Sequence, residues 1–318
     1  MPELRISLLG SARCSWEGCK PVRLGRPQQL LLGYLVLHRS RPHSRERLAE
    51  LLWSDASDDR PRRRLNTALW RLRQSLASPG GIGTSWITST TTGEIGFAPD
   101  GRAGDGTGAG CWIDVEAFAE TVRRVLRADP GAAAPEIATA LEAAIQLYAG
   151  ELLEGCYDDW VLPERRALHE LLLAGLEWLM HHHAAGGRLD AALDAGRRLL
   201  MHDPLREDVH RKLIALYEAG GRRGEAIRQY EYCCDVLASE LGITPSSETE
   251  TAYRGLLSSP NAAKDRAAPP DSSMRLPTDR RFLEQLLAQV RSLERALSEM
   301  LGGATPPRGV VGNGRPRL

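Results

Sequence analysis

The feature that most restricts the fold of this chain is a short motif that returns at a fixed interval. Ala185-Gly186-Gly187-Arg188 recurs as Ala219-Gly220-Gly221-Arg222, 34 positions later, and Ala192-Leu193 recurs as Ala226-Ile227 at the same offset. Both copies sit between segments of helical apolar period, so each reads as helix, glycine turn, helix. A single helix pair of this size leaves an apolar stripe uncovered, and copies must stack to share a core. The second copy ends on a longer helix, because Pro204 of the first corresponds to Pro245 rather than to residue 238. The helical pattern extends well beyond the motif. Candidate helices cover 114–127, 135–149, 160–185, 188–201, 206–219, 222–240 and 246–257.

A period of 34 residues is that of tetratricopeptide repeats. The first hundred residues follow a different rule. Leu4, Ile6 and Leu8 alternate with Arg5 and Ser7, the period of a half-buried strand, and Pro21 to Leu24 follows the Glu17-Gly18 turn as another short strand. Pro27 opens a helix that carries Leu30 to Leu37 and stops near Pro42. Ser44 is placed to cap a second helix ending at Trp53, although Arg47 replaces the acid of a full capping box. A third helix runs from about Pro61 to Leu76, and Trp86 to Phe97 reads as a hairpin around Thr91-Thr92-Gly93-Glu94. Strands, three helices and a hairpin make the order of a winged helix-turn-helix. The fold class expected is therefore mainly α: an N-terminal α+β winged helix-turn-helix, then an all-α tetratricopeptide-like repeat domain. The expected boundaries are 1–100 for the first domain, 101–111 for a Gly-rich insertion, and 112–257 for the repeat domain. A linker at 258–277, a heptad helix at 278–302 and a disordered tail at 303–318 follow. The heptad seam is Leu283, Leu286, Val290, Leu293, Leu297 and Met300.

Charge separates the two parts. The chain has 41 basic and 41 acidic residues. Through Asp100, however, fifteen Arg and Lys face nine Asp and Glu, so the first part is basic and the remainder acidic. Such asymmetry points to a polyanion at one end. The helix of residues 61–76 carries much of it. Leu65, Leu69, Leu72 and Leu76 share one stripe, Arg63, Thr67, Trp70, Arg71 and Gln74 lie opposite, and Arg64, Asn66 and Arg73 flank them. Arg forks match guanine edges, Gln matches adenine, and a Thr methyl meets thymine. Arg62, Arg63 and Arg64 stand at the helix start, where phosphates bind. The DNA-binding candidates are thus Arg62, Arg63, Arg64, Asn66, Thr67, Trp70, Arg71, Arg73 and Gln74. A solvated basic surface helix is the competing reading.

Residues 4–97 resemble the OmpR-type winged helix, above all in Leu65 to Leu76. Residues 112–257 resemble the bacterial transcriptional activator domain, through Trp112 to Phe118, Leu147 to Leu153, Trp160 to Arg166, His202 to Glu207 and Glu240 to Ser246. Together they resemble the Streptomyces antibiotic regulatory protein family within the AfsR-like group. The resemblance implies an activator that binds direct repeats in promoter DNA and recruits RNA polymerase holoenzyme. It implies that the third helix reads the groove at Arg63, Thr67, Trp70, Arg71 and Arg73, and that Ser54 to Asp59 faces polymerase. The chain departs from the pattern in its hairpin, which has no Arg or Lys. The Gly-rich insertion and the heptad helix depart as well, and no G-x4-G-K-S/T is present.

Other chemistry finds little support. The six cysteines lack paired C-x2-C spacing, His181, His182 and His183 point three ways on a helix, and no catalytic constellation stands out. No metal, cofactor or enzymatic activity is expected. The chain opens without a signal segment and has no apolar stretch of membrane-spanning length, so a cytoplasmic location is expected. Further partners are a second copy through the heptad helix, or a small-molecule or peptide effector on the concave face of the repeats. A scaffold that has lost DNA binding is the alternative function.

Overall fold

A computed structural model describes residues 3–53, 61–77, 85–102 and 110–258. Three short strands come first: β1 (Leu4–Ser7), β2 (Arg13–Trp16) and β3 (Val22–Arg23). Leu4 and Ile6 are buried and Arg5 is exposed, as the alternation requires. β1 and β2 pair antiparallel with Leu4 opposite Trp16 and Ile6 opposite Cys14.

Three helices follow: α1 (Arg26–Leu37), α2 (Arg45–Trp53) and α3 (Pro61–Ser75). Pro27 sits in the first turn of α1, where no helical N–H is lost. The Gln28 side chain closes that end by accepting the Gly25 N–H at 2.9 Å. Ser44 Oγ accepts the Arg47 N–H at 3.2 Å, the N-cap bond of α2. The hairpin is β4 (Ser85–Ser89) and β5 (Ile95–Arg102), with Ile87 opposite Phe97. β5 thus continues two residues past position 100. Trp86 packs between Trp16 and Phe97, tying the hairpin to the first sheet.

The chain then returns to that sheet. β6 (Cys111–Ile113) pairs parallel with β1, Ile6 opposite Ile113, giving the strand order β3-β2-β1-β6. The expected start of the repeat domain at 112 falls inside this strand. Seven helices complete the described chain: α4 (Asp114–Val125), α5 (Pro135–Gln146), α6 (Val161–Ala185), α7 (Leu189–His202), α8 (Glu207–Ala219), α9 (Arg223–Leu241) and α10 (Ser247–Ser258). The fold is mainly helical, a small winged-helix region followed by helical repeats.

The repeated glycines terminate α6 and α8 in the same way. Gly187 and Gly221 adopt φ of +68° and +70°, a conformation that suits a residue without Cβ. The Arg188 N–H reaches His183 O at 2.9 Å, and the Arg222 N–H reaches Tyr217 O at 2.8 Å. Both are Schellman caps, so the motif encodes one helix stop used twice. Ala192 and Ala226 follow, each fully buried.

One apolar core runs from Leu4 in β1 to Leu256 in α10. Where the winged helix meets the helical part, the contact is also polar. Leu9 bridges Leu152, the Gly10 N–H donates to Glu151 O at 2.8 Å, and the Leu153 N–H donates to Leu8 O at 2.8 Å. Leu153 holds φ at +50° and its side chain fills a notch at Gly33 of α1, where a Cβ would lie 2.6 Å from Leu153 Cδ1. Arg165 of α6 fixes the same segment, with Nε on Leu152 O at 2.7 Å and Nη2 on Leu153 O at 2.7 Å and Cys156 O at 2.6 Å. The Asp114 carboxylate lies at the end of β1 and accepts the N–H groups of Leu8, Leu9 and Val115 at 2.7–3.0 Å. Burial pushes its pKa up, and those N–H bonds pull against the shift.

The heptad helix, the linker before it and the tail after it lie outside the described residues, as does most of the Gly-rich segment.

Candidate nucleic-acid interface

The site is built on α3. Leu65, Ala68, Leu69 and Leu72 are its buried residues, and Leu76 just beyond it is buried too. That stripe packs α3 on α1 and α2 and leaves the opposite face to solvent. Arg63, Thr67, Trp70, Arg71 and Gln74 are all exposed, and Trp70 keeps 63% of its surface. Arg62, Arg64, Asn66 and Arg73 are exposed as well. The helix thus brings all nine candidate side chains to one side of the molecule, with no acid among them.

The two flanks of α3 differ. On one, the side chains are held by neighbours. Arg62 meets Glu46 of α2 at 3.3 Å, a solvent-exposed pair of small energetic weight. Arg45, the first residue of α2, donates from Nη1 to Asn66 Oδ1 at 3.0 Å and from Nε to Gly93 O in the hairpin tip at 3.1 Å. Arg73 donates to Ser89 Oγ at 3.1 Å. This flank therefore joins α2, α3 and the hairpin. On the other flank the Gln28 amide donates to Ser75 Oγ at 3.0 Å, fixing α1 against α3. Beside it, a groove of about 410 Å³ opens between Pro27, Gln28, Trp53, Arg63, Arg64 and Arg71.

Arg45 was not legible from the pattern of α3, since its partners come from two other elements. Its one sequence signal is its place beside the Ser44 cap. The hairpin tip is closed on itself: Thr90 Oγ1 lies 2.7 Å from Thr92 Oγ1, accepts the Glu94 N–H at 3.0 Å, and Thr92 donates to Glu94 at 3.2 Å. The Thr90 and Thr92 hydroxyls are thus already bonded within the tip. The loop at Ser54 to Asp59 lies outside the described residues.

The histidine run serves the helical core. His182 stacks on Trp178, 5.1 Å between ring centres, with Nδ1 2.8 Å from Pro130 O, and His183 Nε2 lies 3.1 Å from Glu142. Burial holds the His183 pKa below its ordinary value. Among the described residues no three His, Cys, Asp or Glu side chains converge as metal ligands, and no helix is long and apolar enough to cross a membrane.

Residues 113–257 match the bacterial transcriptional activator domain, and residues 19–91 match the family described as transcriptional regulatory protein, C terminal. Both domains of the resemblance to the AfsR-like, Streptomyces antibiotic regulatory proteins are thus matched, and these findings support a regulator of that kind. It is similar to the transcriptional regulatory protein MoaR1 of Mycobacterium tuberculosis, 26% identical over 80% of this chain and 79% of that protein. The regulatory protein AfsR of Streptomyces coelicolor is 27% identical over 83% of this chain, which spans 25% of that longer protein. In fold the chain is similar to Mycobacterium tuberculosis EmbR, solved in complex with a low affinity phosphopeptide. The TM-score is 0.63 with 24% identity, and the match covers 81% of this chain and 65% of EmbR. The chain is a transcriptional regulator, and its two matched segments are the winged helix around α3 and the helical repeats.

Proposed function

We propose that this regulator reads double-stranded promoter DNA by sequence, laying α3 in the major groove, and acts there as an activator that recruits RNA polymerase holoenzyme. One observation carries the reading: the exposed face of α3 presents Arg63, Thr67, Trp70, Arg71 and Gln74 without an acid, on a helix anchored from below by buried leucines. Such a face offers forks for guanine, an amide for adenine and a methyl for thymine. Arg62 and Arg64 meet phosphates, and Asn66 and Arg73 hold the hairpin flank. The reader is residues 1–100 and the activating part is 112–257, working in the cytoplasm without catalysis. The resemblance to the AfsR-like regulators supports promoter direct repeats as the target.

The test is selection of bound duplex from a random pool with the full chain, followed by affinity against salt. Recovery of a repeated motif with a steep salt slope supports the reading. A folded protein that enriches no sequence sinks it and favours a scaffold role.

A further inference from the structure

The cations around α3 fall into two classes. On the hairpin flank they have partners: Arg62 on Glu46, Arg45 on Gly93 and Asn66, Arg73 on Ser89. Residues 85–98 of the hairpin include Glu94 and no Arg or Lys. On the α1 flank, Arg63, Arg64 and Arg71 have no side-chain hydrogen bond or ion pair among the described residues, and all three line the groove of about 410 Å³. No carboxylate among the described residues lines it, and its other walls include the pyrrolidine of Pro27 and the indole of Trp53.

We propose that this groove, rather than the hairpin, is the regulator's grip on the DNA backbone, and that it takes one phosphate with its deoxyribose from the strand running past α1. The inference rests on the major-groove reading of α3. Arg64 supplies the anion contact, Arg63 and Arg71 border the groove on the reading side, and Pro27 and Trp53 supply an apolar surface for the sugar. Position selects DNA over a small aromatic acid of like chemistry. Arg63, Thr67 and Arg71 belong both to the groove and to the reading face. A duplex seated on that face therefore carries one backbone past the groove mouth. Gln28 is locked between Gly25 and Ser75, so the α1 wall is already in place.

Arg64→Ala, Arg64→Lys and Arg73→Ala in the full chain test this, on the duplex that the wild type selects and on scrambled duplex. Arg64→Ala is expected to flatten the slope of log affinity against log salt by about one unit and to weaken both duplexes alike. Arg64→Lys is expected to restore the slope, and Arg73→Ala to change it by less than Arg64→Ala does, because Arg73 is already bonded to Ser89. A single methylphosphonate in the α1-side strand should weaken the wild type and have no effect on Arg64→Ala. Arg64 is exposed and has no partner among the described residues, so its two variants should keep the wild-type melting midpoint. An unchanged slope in Arg64→Ala, or a larger loss in Arg73→Ala, overturns the groove and returns the grip to the hairpin. Protection of Arg64 by a small aromatic acid, with no change in DNA slope, also overturns it. A wild type that holds no duplex even at low salt sinks the DNA reading first, and this inference with it.

Discussion

Charged residues are used in opposite ways at the seam between winged helix and repeats and on the face of α3. At the seam Asp114 is 4% exposed and Arg165 is 8% exposed; backbone N–H groups bond the Asp114 carboxylate, and Arg165 is held by three backbone carbonyls and, through Nη1, by Glu151. On α3 the arginines stand in water, and three of them have no partner among the described residues. A buried charge is tolerable only when it is fully bonded, so the seam charges fix one geometry. An exposed, unpaired charge contributes little to stability and stays available to a ligand. The seam therefore governs folding and the face governs binding, and substitutions should separate the two.

The largest effect belongs to Asp114→Ala. It strands the N–H groups of Leu8, Leu9 and Val115 in the core and should cost about 3–5 kcal/mol in urea unfolding. A loss below about 1 kcal/mol would erase the contrast, because Asp114 would then behave like a surface residue. Arg165→Met comes next, at about 2–4 kcal/mol, since three backbone carbonyls lose their donor. Its DNA affinity per folded molecule should be unchanged. Arg71→Ala reverses the pattern. It should weaken the selected duplex by about 1–3 kcal/mol and relax sequence preference, with the melting midpoint held. If specific binding survives Arg71→Ala intact, α3 is not seated as proposed.

The smallest effect is one of pH and concerns the repeats. His210 is 1% exposed, bonded to Pro204 O and Gln229, and burial lowers its pKa from the ordinary 6.5. His202 is lowered for the same reason. Below pH 6.5 the unfolded chain takes up protons that the folded chain does not, so stability falls as the solution is acidified through that range. The urea midpoint should drop between about pH 7.5 and 5.5, by less in His210→Gln. DNA affinity per folded molecule should not follow it, because α3 carries no histidine.

Much of the local structure was legible. Alternation gave β1, proline and serine gave the starts of α1 and α2, and the leucine period placed the buried stripe of α3. The repeated Ala-Gly-Gly-Arg marked two helix stops that proved to be the same cap. These features depend on neighbours a few residues away, and sequence carries them directly. Asp114 stood inside a motif that sequence could quote but not explain. Its partners Leu8 and Leu9 lie more than a hundred residues away. Likewise, the exposed face of α3 could be drawn on a helical wheel. The wheel could not show that Arg45 and Ser89 occupy one flank and leave the other unpaired.

By itself, then, the sequence determined the element types, the repeat, the capping chemistry and which side of α3 faces water, since all follow from short-range periodicity and backbone preference. Tertiary structure alone decided that β6 closes onto β1, that Leu153 seats against Gly33, and which arginines of α3 keep free guanidiniums. Those outcomes depend on which distant groups meet once the core has formed, and burial, not proximity in the chain, sets the cost of leaving a polar group unmatched.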